Sequence, residues 1–197
     1  KHGFGNMPIS STFRRADGAI CLPCDAVPGA NGGSILHISK DNGKSWLLPS
    51  RGKPAPQFSA GKSGARIAGI HTGVDQWTDG SLVAVGRGDA ISERMPLSIS
   101  RDGGVSWAYR ASPFPPIAGG QRAVLRRLRE NVLMLVSFTK GSTFTSATGI
   151  RFKGQGMFAA LSEDGGETWP VRKLLTDGKH RTLDGHAWTD RFTMDAT

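Results

Sequence analysis

Ser100-Arg101-Asp102-Gly103-Gly104-Val105-Ser106-Trp107 decides how this chain is read, because the same pattern occurs twice more. The other copies are Ser39-Lys40-Asp41-Asn42-Gly43-Lys44-Ser45-Trp46 and Ser162-Glu163-Asp164-Gly165-Gly166-Glu167-Thr168-Trp169. Each reads Ser-x-Asp-x-Gly-x-Ser/Thr-Trp, and successive copies start 61 and 62 residues apart. A pattern that returns at a fixed interval of this size marks an array of similar structural units. Its chemistry is that of a hairpin turn. The carboxylate bonds backbone N–H groups two residues on, and glycine takes positive φ without steric cost. The Ser/Thr hydroxyl adds a local bond, and the Trp starts the returning strand as a large apolar anchor. Asp41, Asp102 and Asp164 are therefore read as structural turn residues, not catalytic ones.

Working outward from these turns, the chain aligns as four strands per unit. Ile9 to Gly18, His71 to Gly80 and Arg122 to Asn131 each run ten residues into Asp-Gly or a relative of it, a hairpin signal. Short apolar strands follow at Ala19 to Cys24, Ser81 to Val85 and Val132 to Phe138. After a variable loop a third strand enters the repeated turn, and the Trp opens the fourth. Four antiparallel strands per unit make a β-propeller blade. The expectation is an all-β fold of about three blades in one domain, 1–197, with approximate repeats 6–50, 66–110 and 119–175.

Alternating strand direction separates two ends. The repeated turns and the Asp17-Gly18 and Asp79-Gly80 turns share one end. The longer connections, which differ between repeats, share the other, and diverging loops on a common scaffold carry function. The starts of the first strands, Met7 to Ile9, Gly69 to His71 and Gly120 to Arg122, fall at that second end with Asp25, Arg87 and Asp89. The loop from Lys140 to Gly156 is longer than its counterparts and is expected to form a lid.

The formal charge of +9 favours acidic partners. Basic residues are scattered and no groove-reading helix or stacking ladder stands out, so nucleic acid is not expected. No 18-residue apolar run marks a membrane-spanning helix. Cys21 and Cys24 form a Cys-x-x-Cys, but an offset of three on a strand points the thiols to opposite faces. No second Cys/His cluster completes a metal site, so two buried thiols and no metal or cofactor are expected.

The three turns resemble the Asp-box, or bacterial neuraminidase repeat, of the sialidase superfamily. Gly5-Asn6-Met7-Pro8-Ile9, Phe114-Pro115-Pro116-Ile117 and Asp190-Arg191-Phe192-Thr193-Met194-Asp195 are similar to segments of bacterial sialidase-like proteins. The resemblance implies a six-bladed propeller, of which this chain is about half, and a secreted or periplasmic location. With no initiator Met and no closing blade before Met194-Asp195-Ala196-Thr197, the chain is expected to be a fragment; the alternative is a half-ring that self-associates through exposed blade edges.

The implied activity is exo-sialidase-type hydrolysis of a terminal acidic sugar. The family holds a substrate carboxylate with an arginine triad and uses a Tyr–Glu nucleophile with an Asp acid/base. Guanidinium forks suit a carboxylate. Arg87, closing Val83-Ala84-Val85-Gly86-Arg87, matches the family's inner-strand arginine; Arg122, Arg66 and Glu93 are further candidate substrate-binding residues, and Asp25, Asp89 and His71 are candidate catalytic groups. The single tyrosine, Tyr109, falls on an expected outer strand, and no Glu precedes the second unit in Ala65-Arg66-Ile67-Ala68-Gly69. That leaves alternatives open: a non-catalytic carbohydrate-binding propeller, a polysaccharide lyase with His71 as base or another glycosidase on uronate-containing glycans, and a protein-interaction scaffold.

Overall fold

The computed structural model describes residues 7–8, 10–26, 32–117 and 120–176. Ile9, Gly5-Asn6, residues 27–31 of the Ala26 to Gly33 loop, the 190–195 segment and the end of the sequence lie outside the described residues. Among the described residues there is no helix, so none could cross a membrane, and every strand pairing is antiparallel.

Three sheets follow one another along the chain. The first holds β1 (Met7–Pro8), β2 (Phe13–Arg14), β3 (Ile20–Asp25) and β4 (Ser34–Ser39), with β3 pairing β4 along its length and both short strands on its other edge. The second holds β5 (Ser63–Gly64), β6 (Ile70–Gln76), β7 (Leu82–Arg87), β8 (Pro96–Ser100) and β9 (Trp107–Ala111), in the order β6-β7-β8-β9-β5. The third is a meander of β10 (Val124–Arg127), β11 (Leu133–Thr145), β12 (Arg151–Ser162) and β13 (Val171–Leu174).

The sheets stack face to face, and β7 shows why. Side chains alternate across a strand. Leu82 and Ala84 join Cys21, Leu36, Ile38 and Trp107 in one core, while Val83 and Val85 join Leu97, Leu133, Leu135 and Phe158 in another. The middle sheet is thus buried on both sides, which is why β7 is apolar from Leu82 to Val85. Each buried Val, Leu, Ile or Phe among them contributes roughly 1.5–3 kcal/mol by leaving water. The first strands of neighbouring units lie close together. A Cβ on Gly73 of β6 would come within 2.6 Å of the Leu125 backbone nitrogen in β10, and the Arg127 N–H donates to Asp75 Oδ2 at 2.8 Å.

The repeated turns fold alike. In the second, the Ser100 hydroxyl donates to Asp102 Oδ1 at 2.8 Å and accepts the Gly104 N–H at 2.8 Å. Asp102 also receives the Ser106 N–H at 2.9 Å and its hydroxyl at 2.5 Å. Corresponding bonds serve Asp41 and Asp164. Gly43, Gly104 and Gly166 hold φ of 89°, 94° and 91°, in the region glycine alone enters cheaply. Led by the bond from the Ser45 hydroxyl, these donors hold the Asp41 carboxyl at about 2. Burial works the other way at Asp164, yet its Thr168 and Ser162 bonds also keep it at about 2. The carboxylates are committed to their own turns.

The same end laces neighbouring sheets. Arg15 donates to Gly103 O at 2.7 Å, and Arg110 donates to Gly166 O at 3.0 Å and pairs with Glu167, while Arg101, 3.5 Å from Asp79, joins two turns of the second sheet itself. Trp107 and Trp169 are buried, each against the preceding sheet, whereas Trp46 is 43% exposed on a sheet with no predecessor among the described residues.

Three expectations are corrected. The first strand of the first unit is split into β1 and β2. Its fourth strand shrinks to a single Ile38–Leu47 bridge, since Pro49 follows and has no N–H to extend the ladder. The Lys140 to Gly156 segment is not a loop: β11 and β12 continue as a long hairpin whose tip closes with the Ser146 N–H donating to Ile150 O, and a bulge between Thr139 and Ser142 absorbs the Gly141 break. The two thiols are free and buried. Cys21 packs between the first and second sheets, and Cys24 packs on the opposite face with Ile35 and Leu48.

Candidate functional site

Because strands alternate in direction, the ends of β3 and β7 and the starts of β6 and β10 meet at the end opposite the repeated turns. Asp25 is the last residue of β3, His71 the second of β6, Arg87 the last of β7, and Arg122 precedes β10. Asp25 and His71 bind directly. Asp25 Oδ1 accepts the His71 backbone N–H at 2.8 Å, and its Oδ2 lies 3.1 Å from the imidazole Nδ1. Both side chains are more than nine-tenths buried. The Nδ1 contact is one of proximity. Its angle falls short of a hydrogen bond, and Nδ1 has no other partner among the described residues.

The backbone aims the ring. Pairing of β6 with β7 slips between Ile70 and Gly73, and His71 takes φ 51°. A bulge re-aims a side chain, and a left-handed residue other than glycine costs on the order of 1–3 kcal/mol and marks functional sites. Asp25 offsets part of that by accepting the N–H. Behind it the buried Ser34 hydroxyl lies 3.3 Å from Asp25 Oδ1, 2.9 Å from Gly69 O and 2.6 Å from the Thr72 hydroxyl.

The electrostatics follow from burial and two cations. Burial lowers the His71 pKa below its usual value, Asp25 opposes this, and the charges of Arg87 and Arg122 lower it again. The ring is neutral at pH 7, and an N–H facing Asp25 leaves Nε2 as its basic atom. Burial and the Arg122 charge lower the Arg87 pKa too, against the pull of Asp25. Arg87 is steadied by donating to Gln121 O at 3.1 Å, and Arg122 is exposed. Arg87 and Arg122 thus put two positive charges within electrostatic reach of His71.

The other candidates are placed differently. Asp89, at φ 43°, accepts the Gly69 N–H at 3.2 Å; burial raises its pKa, against the pull of the Gly69, Gly33 and Gly32 N–H groups near it. It ties the loops of the first two sheets together. Arg66 donates to Gly32 O at 3.3 Å in the connection between those sheets. Glu93 is exposed in the turn that bridges Ile91 and Arg94, and no hydrogen bond or ion pair among the described residues joins it to His71. Tyr109 lies on β9 away from the cluster, buried, with its hydroxyl donating to Arg66 O at 2.7 Å. No cluster of three or more His, Cys, Asp or Glu among the described residues could hold a metal ion. Sequence reasoning missed Ser34, Thr72 and the strained backbone of His71, which carry no local motif.

No family model and no curated protein matches the sequence. Among solved structures, the chain is similar to a protein of unknown function from Dyadobacter fermentans, with a TM-score of 0.53 and 16% identity over 84% of this chain and 41% of that one. It is similar to an α-L-arabinofuranosidase from Fusarium graminearum, with a TM-score of 0.50 and 15% identity over 84% of this chain and 47% of that one. A Hadza microbial sialidase matches with a TM-score of 0.42 and 15% identity, over 85% of this chain and 37% of that one. The chain spans less than half the length of each. The first two likenesses are of fold: antiparallel β-sheets stacked in succession.

Proposed function

We propose that the three sheets are consecutive blades of a six-bladed β-propeller, and that the chain is part of a glycoside hydrolase of that fold acting on a terminal acidic sugar of the sialoside type. One observation carries the reading: the buried Asp25–His71 pair lies within the electrostatic reach of two arginines, Arg87 and Arg122, at the end where the first strands of the sheets begin. The arabinofuranosidase name among similar structures agrees with the glycoside-hydrolase part of it. The exposure of Trp46, the position that a preceding blade covers at Trp107 and Trp169, agrees with the propeller part.

In this reading the two guanidiniums grip the sugar carboxylate bidentately. Asp25 serves as a positioning residue for His71, which as a neutral ring accepts or donates a hydrogen bond beside the bound anion. Tyr109 is not the nucleophile, because its hydroxyl is bound and buried on the outer part of the sheet. The attacking group belongs to other blades of a longer protein.

A second reading rests on the same neutral, carboxylate-propped histidine. His71, within reach of the Arg87 and Arg122 charges, is suited to taking the C5 proton α to a uronate carboxyl that the arginines neutralise; the C–H electron pair becomes the C4=C5 double bond as the C4–O glycosidic bond breaks, and the leaving oxygen takes a proton from solvent. One assay separates the two. Intact protein is incubated with sialosides and with uronate oligosaccharides, and free sialic acid and near-ultraviolet absorbance are followed. Released sialic acid that disappears in Arg87→Ala supports the hydrolase. An absorbing product supports the lyase. Saturable binding without product replaces both with a carbohydrate-binding propeller.

A further inference from the structure

Beyond the His71 site, a polar cleft of about 800 Å³ opens between the bulge of β11, the base of the long β11–β12 hairpin and the turn that carries Arg94. Arg94, Lys140, Arg151 and Arg172 line it, and no carboxylate does. None of the four enters an ion pair among the described residues. The nearest acid in sequence, Glu93, points its chain out into solvent in an exposed turn and is not part of the lining.

The cleft is also built rather than incidental. Arg172 is held in place by donating to Trp169 O at 3.2 Å and by stacking 5.1 Å from the centre of the Phe114 ring, and burial lowers its pKa. The bulge pins its own hydroxyls, with Thr139 Oγ1 2.7 Å from Ser142 Oγ and accepting the Gly141 N–H at 3.2 Å. Thr143 and Thr145 add further hydroxyls. Four like charges lining one space repel each other, and an oxyanion between them removes that cost.

The geometry points to a second anion-binding subsite here, taking a sulfate or carboxylate carried on an extended glycan. β11 passes the functional end of the sheets at this bulge, so the cleft lies on the same end as His71, Arg87 and Arg122. A chain lying across that end would place one charged sugar in each. The lining favours a glycan over nucleic acid. It offers hydroxyls and prolines, and the Phe114 face is occupied by Arg172, which leaves no free aromatic platform for a base. The inference does not depend on the reaction proposed for the His71 site.

Calorimetric titration of the intact protein at fixed salt tests it. The probes are a sulfated hexasaccharide, a polyuronate hexasaccharide, an uncharged hexasaccharide and a single-stranded oligonucleotide of matched charge. One or both charged sugars should bind at least about tenfold more tightly than the uncharged one. Arg94→Gln with Arg151→Gln, both exposed positions, should weaken that binding about tenfold or more with Tm unchanged; Lys140→Gln with Arg151→Gln is the second pair if the first fails to fold. Arg87→Ala should leave this subsite's contribution in place, so a failure of the Arg87 reading would show separately. Unchanged affinity in the glutamine variants, or an oligonucleotide that binds as tightly as the charged sugars, overturns the subsite.

Discussion

Asp25 holds His71 at two points, taking its backbone N–H at 2.8 Å with one oxygen and facing its ring Nδ1 at 3.1 Å with the other. One carboxylate therefore sets both the φ 51° backbone and the imidazole orientation. Asp25→Ala leaves a buried N–H without its acceptor, which costs about 1–3 kcal/mol, read as a fall in Tm. Asp25→Asn keeps an acceptor but removes the charge that raises the His71 pKa. Its titration midpoint, followed by NMR, is expected to drop further. A rise would contradict the electrostatic account.

The pH dependence follows from the same ring. His71 binds a proton more weakly folded than unfolded, because its folded pKa lies below the usual 6.5. Its contribution to stability is complete above about 6.5 and is lost as pH falls from there toward the folded pKa. Tm measured from pH 7.5 down to 5 should decline more in the native protein than in His71→Gln. An anion bound to Arg87 and Arg122 cancels the charge that lowers the ring's pKa. Affinity for that anion should rise as pH falls through the same range.

Gly73 tests the contact between inner strands. A methyl group there meets the Leu125 backbone nitrogen at 2.6 Å, so β6 and β10 must part. Gly73→Ala should cost roughly 1–3 kcal/mol. An unchanged denaturation midpoint would mean that these strands do not pack as described.

The repeated turns offer an internal control. Gly43 and Gly104 share the same backbone, but a Cβ on Gly43 meets nothing within 4 Å, whereas one on Gly104 comes 2.9 Å from Leu36 Cδ2. Gly43→Ala should show only the left-handed cost of about 1–2 kcal/mol. Gly104→Ala should exceed it in chemical denaturation.

The tryptophans give a sharper contrast. Trp107→Ala empties a filled core position and should cost about 3–5 kcal/mol, while Trp46→Ala in this chain should change Tm little. If the proposed ring is assembled in a longer protein, Trp46→Ala there should approach the Trp107 effect.

Much of this organisation was legible in the sequence for local reasons. The turn motif contains its own donors and acceptors, so its fold does not depend on distant residues. Strand alternation then carried Asp25, His71, Arg87 and Arg122 to one end. The hairpin from Lys140 to Gly156 was not legible, because it is made by cross-strand pairing, and one bulge carries Gly141 inside β11. Asp25 as the holder of His71, and Asp89 as a tie between loops, were equally hidden. Each depends on a left-handed backbone that only the assembled sheets impose.

Cys21 and Cys24 sit three residues apart on β3 yet belong to different interiors, and burial raises both thiol pKa values, Cys21 to about 11. Neither reacts until its own cover lifts. A brief pulse of alkylating reagent, resolved peptide by peptide, would therefore act as a two-handed clock. Label on Cys21 times the parting of the first two sheets, and label on Cys24 times the lifting of the layer that carries Leu48.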